Sequence, residues 1–322
     1  MSEYHIETAE NVSAGVWDDF VRASNEGTIF HEQEFLAYHG ERFKDVKKDI
    51  VILKGNTVSG LMPAALFYES DGVHSLRSPY GASLGGPVFK KTPKFKESMQ
   101  IIDGLLEFLR AGGIRRCSMT LPTQSCYSEY SETFRLALLQ SGFVCANRDI
   151  SSVVILKNFV NRMESRARNM IRKADSAGIK VVRCESKEDF WLLLMKTYVR
   201  FDKKPTHSYE ELNWLITHFP ERIVLDIAYL GSVPVAGVCS FALNTKCNMA
   251  FYLVNDPEYQ HVQGLSSAVY ETLLRSERDG FTCYDFGTSS DRQVGRENIF
   301  SFKESFGAVG IFREQYRWDE NK

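Results

Sequence analysis

The sequence predicts a mixed α/β (α+β) protein made of two tandem copies of one unit, each built on a mostly antiparallel sheet. Two observations carry this. IVILKGNTVSGLMPAALF at 50–67 and LDIAYLGSVPVAGVCSFAL at 225–243 are apolar runs broken by a glycine and a polar residue, the pattern of a tight hairpin. LLEFLRAGGIRRCSMTLP at 105–122 and LLRSERDGFTCYDFG at 273–287 both read as a helix end, a glycine stop and a buried strand. Arg110 and Gly112 stand opposite Arg278 and Gly280. Each half therefore reads as helices, an antiparallel meander, a helix and a further strand. The boundary falls near residue 150, giving domains 1–150 and 151–322.

Composition bounds the function. A chain of 322 residues, 43% hydrophobic and 25% charged, has room for two ordinary globular domains. A net charge of -2 gives no global attraction to DNA or to an anionic membrane, so any contact with phosphate or RNA must come from a local patch. The seven cysteines are scattered without a CxxC pair, and no apolar segment is long enough to be a signal or a membrane span. Free thiols in a cytoplasmic protein with no transmembrane segment are expected. No HExxH or similar spacing occurs among the seven histidines, so no metal is expected.

Within the second half, ESRARNMIRKADSAG at 164–178 reads as a basic helix. With Arg162 just before it, Arg166, Arg168, Arg172 and Lys173 gather five positive charges within twelve residues. Arg168 and Arg172 are four apart and share a face, while Met163, Ala167, Met170, Ile171 and Ala174 supply apolar contact. The charges form either a solvated face or an electropositive lip for phosphates. From Arg200 to Glu211 a proline-centred loop enters a helix, with Ser208 and Glu211 spaced as a capping box. This displays Lys204 and His207 on the loop.

The run YDFGTSSDRQVGRENIFSFKESFG at 284–307 is the most informative stretch. Phe281, Cys283 and Phe286 are set to be buried, Gly287 permits an unusual turn, and Asp291 to Asn298 reads as a solvated, adaptable loop. Lys303 follows between Phe302 and Phe306, where aromatic neighbours hold it partly out of water. Asp285, ending a buried strand, either orients Lys303, accepts a proton or caps the loop. DFG here is not a kinase signature, since no HRD loop, VAIK lysine or GxGxxG accompanies it.

DFGTSS followed by FKESFG resembles the C-terminal signature of the FemAB-like transferases, relatives of the GNAT acyltransferases. GTIFHEQEFLAYH, SPYGASLGGPVF, RNMIRKADSAGIKV, KKPTHSYEELNWL and AYLGSVPVAGV read like the same group, in its order, so the resemblance spans nearly the whole chain. It implies tandem GNAT-like domains with a cleft between them, and a last strand, 309–318, that crosses back to the first domain. It also implies that Lys303 lies beside the acyl donor or acceptor, with Phe302 shaping the adjoining wall. Arg168, Arg172, Lys204, His207, Tyr252, Gly287 and Ser289 complete the candidate substrate-binding set, and Lys303 and Asp285 are the candidate catalytic pair.

No GxSxG elbow or cysteine signature supports a covalent intermediate, so direct attack of an amine on an activated acyl carbonyl is expected. The GNAT loop for coenzyme A, Q/R-x-x-G-x-G/A, has the counterpart YQHVQGLSSA, in which Gln260 and Gly264 lie four apart. That departure favours an aminoacyl-tRNA donor, with an acyl-CoA donor kept open; no tightly bound cofactor is expected. Where bridge-forming relatives carry a lysine for precursor phosphates, this chain has Ala37, Tyr38 and His39. Three functions follow: an acyl or aminoacyl transferase forming an amide on a cell-envelope precursor or other small amine, with the acceptor end of tRNA as a partner; a coenzyme A dependent N-acyltransferase; and a silent module that binds a glycan or protein.

Overall fold

The computed structural model describes residues 3–183, 186–199 and 203–320. Arg200 to Asp202, which open the proline-centred loop, and the last two residues of the chain lie outside the described residues. The chain divides into two compact units, one of Met1–Asp149 with Phe312–Lys322 and the other of Ile150–Ile311.

In the first unit, strands Tyr4–Thr8, Ile50–Lys54, Thr57–Met62 and Val88–Phe89 form an antiparallel sheet. A second group joins Ala65–Tyr68, His74–Ser78 and Ile114–Thr120, the last two in parallel. The C-terminal segment completes this unit: Gln315 to Asp319 pair antiparallel with Thr120 to Arg116. Helix Phe95–Ala111 covers the inner faces, burying Ile101, Ile102, Leu105 and Leu109 with Ile52, Leu76, Met119, Tyr316 and Trp318.

In the second unit the strand order is Val144–Ile155 (from Ile150 onward), Cys283–Thr288, Cys247–Asn255, Val233–Ala242, Ile223–Leu230 and Ile179–Arg183. Pairing is antiparallel except where Cys247 to Met249 run alongside Cys283 to Asp285. The sheet is thus mixed and mostly antiparallel. Helices Ser165–Ser176 and Gly264–Arg278 pack over it, and Ala167, Ile171, Ala174, Ala268, Val269 and Leu273 meet Val238, Tyr284, Phe286 and Phe306 in one core.

The repeat read from the sequence has a structural counterpart in both hairpins. Gly55 and Gly231 open two-residue turns at φ +58° and +61°, where a side chain would be strained. One detail shifts: after helix Phe95–Ala111 the left-handed residue is Gly113, at φ +64°, rather than Gly112, whereas Gly280 holds that place after Gly264–Arg278. Ser208 and Glu211 form the capping box of helix Tyr209–His218.

Candidate functional site

The residues that bond Lys303 and set its charge environment belong to the second unit, and a strand irregularity organises them. Cys283, Tyr284 and Asp285 pair with Ile155, Val154 and Val153, then the register shifts before Thr288 meets Ser151. Within the shift Gly287 stands at φ +72°. Asp285, 3% exposed, accepts two hydrogen bonds on one oxygen, from the Ser151 hydroxyl and from the Gly287 amide at 2.7 Å. The turn leaves the carbonyls of Gly287 and Thr288 facing helix Glu297–Ser305, whose Lys303 Nζ donates to both at 2.9 Å. Asp285 therefore secures the turn that seats Lys303, and its hydrogen bonds match the loop-capping option.

Lys303 is 4% exposed. Burial pulls its pKa down to about 8; the nearby Asp285 charge opposes this and Arg296 adds to it. At neutral pH the group is still largely an ammonium. It has three donors, of which two are spent on carbonyls and one has no acceptor among the described residues.

A lysine lowered from 10.5 to about 8 gives a directional stability prediction. Between those pH values the unfolded chain keeps a proton that the folded chain has released. Stability relative to a Lys303→Met variant should therefore rise with pH across this window, by on the order of 3 kcal/mol in full. Denaturant midpoints of the two proteins from pH 7 to 10 measure it, and a difference that stays constant would contradict the lowered pKa.

Around this centre, Ser289 is fully buried, its hydroxyl 2.7 Å from that of Ser152 and its amide donating to the Ile150 carbonyl at 2.7 Å. The Ile150 amide donates in turn to Ser290 Oγ at 2.8 Å. Phe302 packs half-buried against Phe306, ring centroids 5.3 Å apart. Ser151, Ser152 and Arg296 were not singled out from the sequence. The serine pair in ISSVVI carried a signal, because serines placed in a buried strand require partners.

The stretch expected as an adaptable loop is instead a small hairpin. Ser290 and Asp291 pair with Gly295 and Val294, Arg292 and Gln293 turn at φ +49° and +67°, and Arg296 bonds Asp291 at 2.6 Å. Alternation of Ser290, Asp291, Val294 and Gly295 around a two-residue turn lets the backbone pair with itself.

The basic helix comes against the Lys303 helix. The Glu164 amide donates to the Ser305 carbonyl at 2.9 Å, and Arg166 bonds Ser301. Its arginines are not equally available. Arg168 donates to the carbonyls of Val160 and Met163, closing the preceding turn, and Arg162 likewise bonds the carbonyls of Ile155 and Lys157. Arg172 bonds only Asn169, and Lys173 makes no such contact among the described residues. Of the five charges, Arg168 has Nε and Nη2 engaged on backbone oxygens, while Arg172 and Lys173 are the less engaged cations among the described residues.

His207 is not displayed on its loop. It is 3% exposed, 5.0 Å from the Phe251 ring and stacked at 6.2 Å on Phe241, with Nδ1 2.9 Å from the Tyr252 hydroxyl. An aromatic wall and a hydroxyl partner hold the buried imidazole in place. His207 and Tyr252 thus form a second group, while Lys204 remains at the surface. The loop read as a departure from the coenzyme A pattern leads into helix Gly264–Arg278. Gln263 stands at φ +60°, and the helix opens at Gly264, where a Cβ would lie 2.9 Å from Val235.

Residues 161–298 match the model of the Acetyltransferase (GNAT) domain family. FemX has 12% sequence identity, with 96% of each chain covered and a TM-score of 0.71. A tandem GNAT protein from the clavulanic acid biosynthesis pathway has 11% identity, 98% of each chain covered and a TM-score of 0.53. L-PGS from Bacillus licheniformis has 10% identity, 82% of each chain covered and a TM-score of 0.55. No curated protein matches the sequence. These likenesses show the tandem GNAT fold, and the family match lies on the unit that holds Lys303. Residues 161–298, in the unit that holds Lys303, are accordingly a GNAT acetyltransferase domain by their family match. The two-unit fold is similar to that of FemX over nearly the whole chain. Among the described residues no helix is long and apolar enough to cross a membrane.

Proposed function

We propose that this enzyme transfers an acyl or aminoacyl group directly onto an amine of a cell-envelope precursor, with Lys303 as the group that stabilises the developing oxyanion. The observation that carries this is a buried ammonium with one donor that has no acceptor among the described residues, anchored by two carbonyls of a bulged strand. A neutral amine attacks the carbonyl carbon of an activated ester or thioester, and the carbonyl electron pair moves onto oxygen, where Lys303 donates. Collapse of the adduct expels the alkoxide or thiolate, the attacking nitrogen gives up its proton, and an amide remains. One preorganised donor of this kind contributes roughly 3 to 4 kcal/mol. Arg172 and Lys173 supply positive charge for a phosphate of either substrate.

A coenzyme A thioester donor is supported by one feature. The helix opening at Gly264 leaves the Gly264 and Leu265 amides without an acceptor among the described residues, an arrangement suited to a pyrophosphate. Calorimetric titration with acetyl-CoA and with coenzyme A, at low salt, decides the donor. Micromolar binding of both favours acyl-CoA, and absence of binding favours transfer RNA or another carrier as donor. Incubation with labelled acetyl-CoA or aminoacyl-tRNA and an amine-bearing precursor tests the reaction itself; no labelled amide from either donor would overturn the proposal.

A further inference from the structure

The first unit has a feature that the transfer reaction does not use. Strands His74–Ser78, Ile114–Thr120 and Gln315 to Asp319 present one face to a polar groove of about 670 Å³. Strand register sorts the lining into rows. In one row Ser75 lies beside Arg116, which lies beside Asp319, and Arg116 closes ion pairs with Asp319 at 3.1 Å and Asp71 at 2.7 Å. In the next row Arg77 lies beside Ser118, which lies beside Arg317. Two guanidinium side chains thus flank one hydroxyl across three strands, their Cα atoms roughly 10 Å apart.

No carboxylate stands in that row. Arg77 is paired with Glu69, which also lines the groove, and its guanidinium lies over the Phe67 ring 4.7 Å away. Arg317 and the hydroxyls of Ser118 and Ser75 have no hydrogen-bond or ion-pair partner among the described residues, although Ser75 is only 5% exposed. Side chains of like charge in one row repel, and the half-buried Ser118 hydroxyl between them has no partner among the described residues. An oxyanion seated over Ser118 between Arg77 and Arg317 would relieve both. The groove has the volume of a site for a ligand of nucleotide size.

We infer that the Arg77, Ser118 and Arg317 row, with Ser75 beside it, is a binding site for the phosphate or diphosphate group of a small molecule, formed wholly within the first unit. The planar forks of the two arginines suit the oxygens of such a group, and the hydroxyls donate the remaining bonds.

Calorimetric titration of the full chain with inorganic pyrophosphate at low ionic strength tests the site. Three variants are compared: Arg317→Ala, Ser118→Ala, and Arg172→Ala with Lys173→Ala, the last removing the free cations of the basic helix in the second unit. The expected result is a binding event that Arg317→Ala weakens at least about tenfold, that Ser118→Ala weakens less, and that the double variant preserves. Arg317 is exposed, so its replacement should leave the melting temperature unchanged. Absence of pyrophosphate binding in the unaltered protein would overturn the inference. So would binding that survives Arg317→Ala and Ser118→Ala but disappears in the double variant.

Discussion

Lys303→Ala is expected to lower kcat by about 10²- to 10³-fold with little change in KM, because the lost donor acts on charge that develops only in the transition state. Steady-state kinetics on the amide-forming reaction measures this, with circular dichroism to verify the fold. Lys303→Arg should not restore activity, since a planar guanidinium cannot occupy a site shaped by the two carbonyls at 2.9 Å. The pH profile adds a separate constraint. A lysine acting as a cation loses its proton as pH rises through about 8, so the limb of the kcat profile that it controls should fall there. Unchanged turnover in Lys303→Ala would remove Lys303 from the mechanism.

Asp285→Ala should lower both stability and activity. It removes the acceptor of two buried hydrogen bonds, from Ser151 and from the Gly287 amide, at a cost of about 2 to 4 kcal/mol. It also frees the turn that positions the Gly287 and Thr288 carbonyls under Lys303. Asp285→Asn separates two roles. Both bonds fall on a single oxygen, which an asparagine retains, so a positioning residue should keep most of its kcat in the asparagine variant. A residue that accepts a proton in the reaction should lose as much activity as in Asp285→Ala. Denaturant titration beside kinetics on the two variants distinguishes these outcomes.

Much of the architecture was legible in the sequence because it depends on local chemistry. The hairpins at Gly55 and Gly231 need left-handed residues, and the Ser208 and Glu211 box needs two residues at fixed spacing. The apolar stripe of the basic helix needs only helical periodicity, and Met163, Ala167, Ile171 and Ala174 are all buried. What could not be read depends on residues distant in the chain. The partner of Asp285 is Ser151, 134 positions away. The burial of His207 depends on Phe241, Phe251 and Tyr252, two strands of a sheet that a loop motif does not disclose. Arg168 and Arg172 look equivalent by spacing, yet only Arg168 faces the carbonyls of Val160 and Met163.

The return of the C-terminal segment to the first unit bears on how the protein is made. Residues Gln315 to Asp319 supply a strand beside Arg116 to Thr120, and Tyr316 and Trp318 enter the same core as Leu76 and Ile102. A chain emerging from the ribosome cannot finish its first unit until Asp319, well beyond the second unit, has been translated. The second unit, continuous from Ile150 to Ile311, has all its residues available first, reversing the usual N-to-C order of domain folding. The N-terminal half must wait as an incomplete sheet, so the nascent protein's exposure to aggregation and proteolysis is concentrated there.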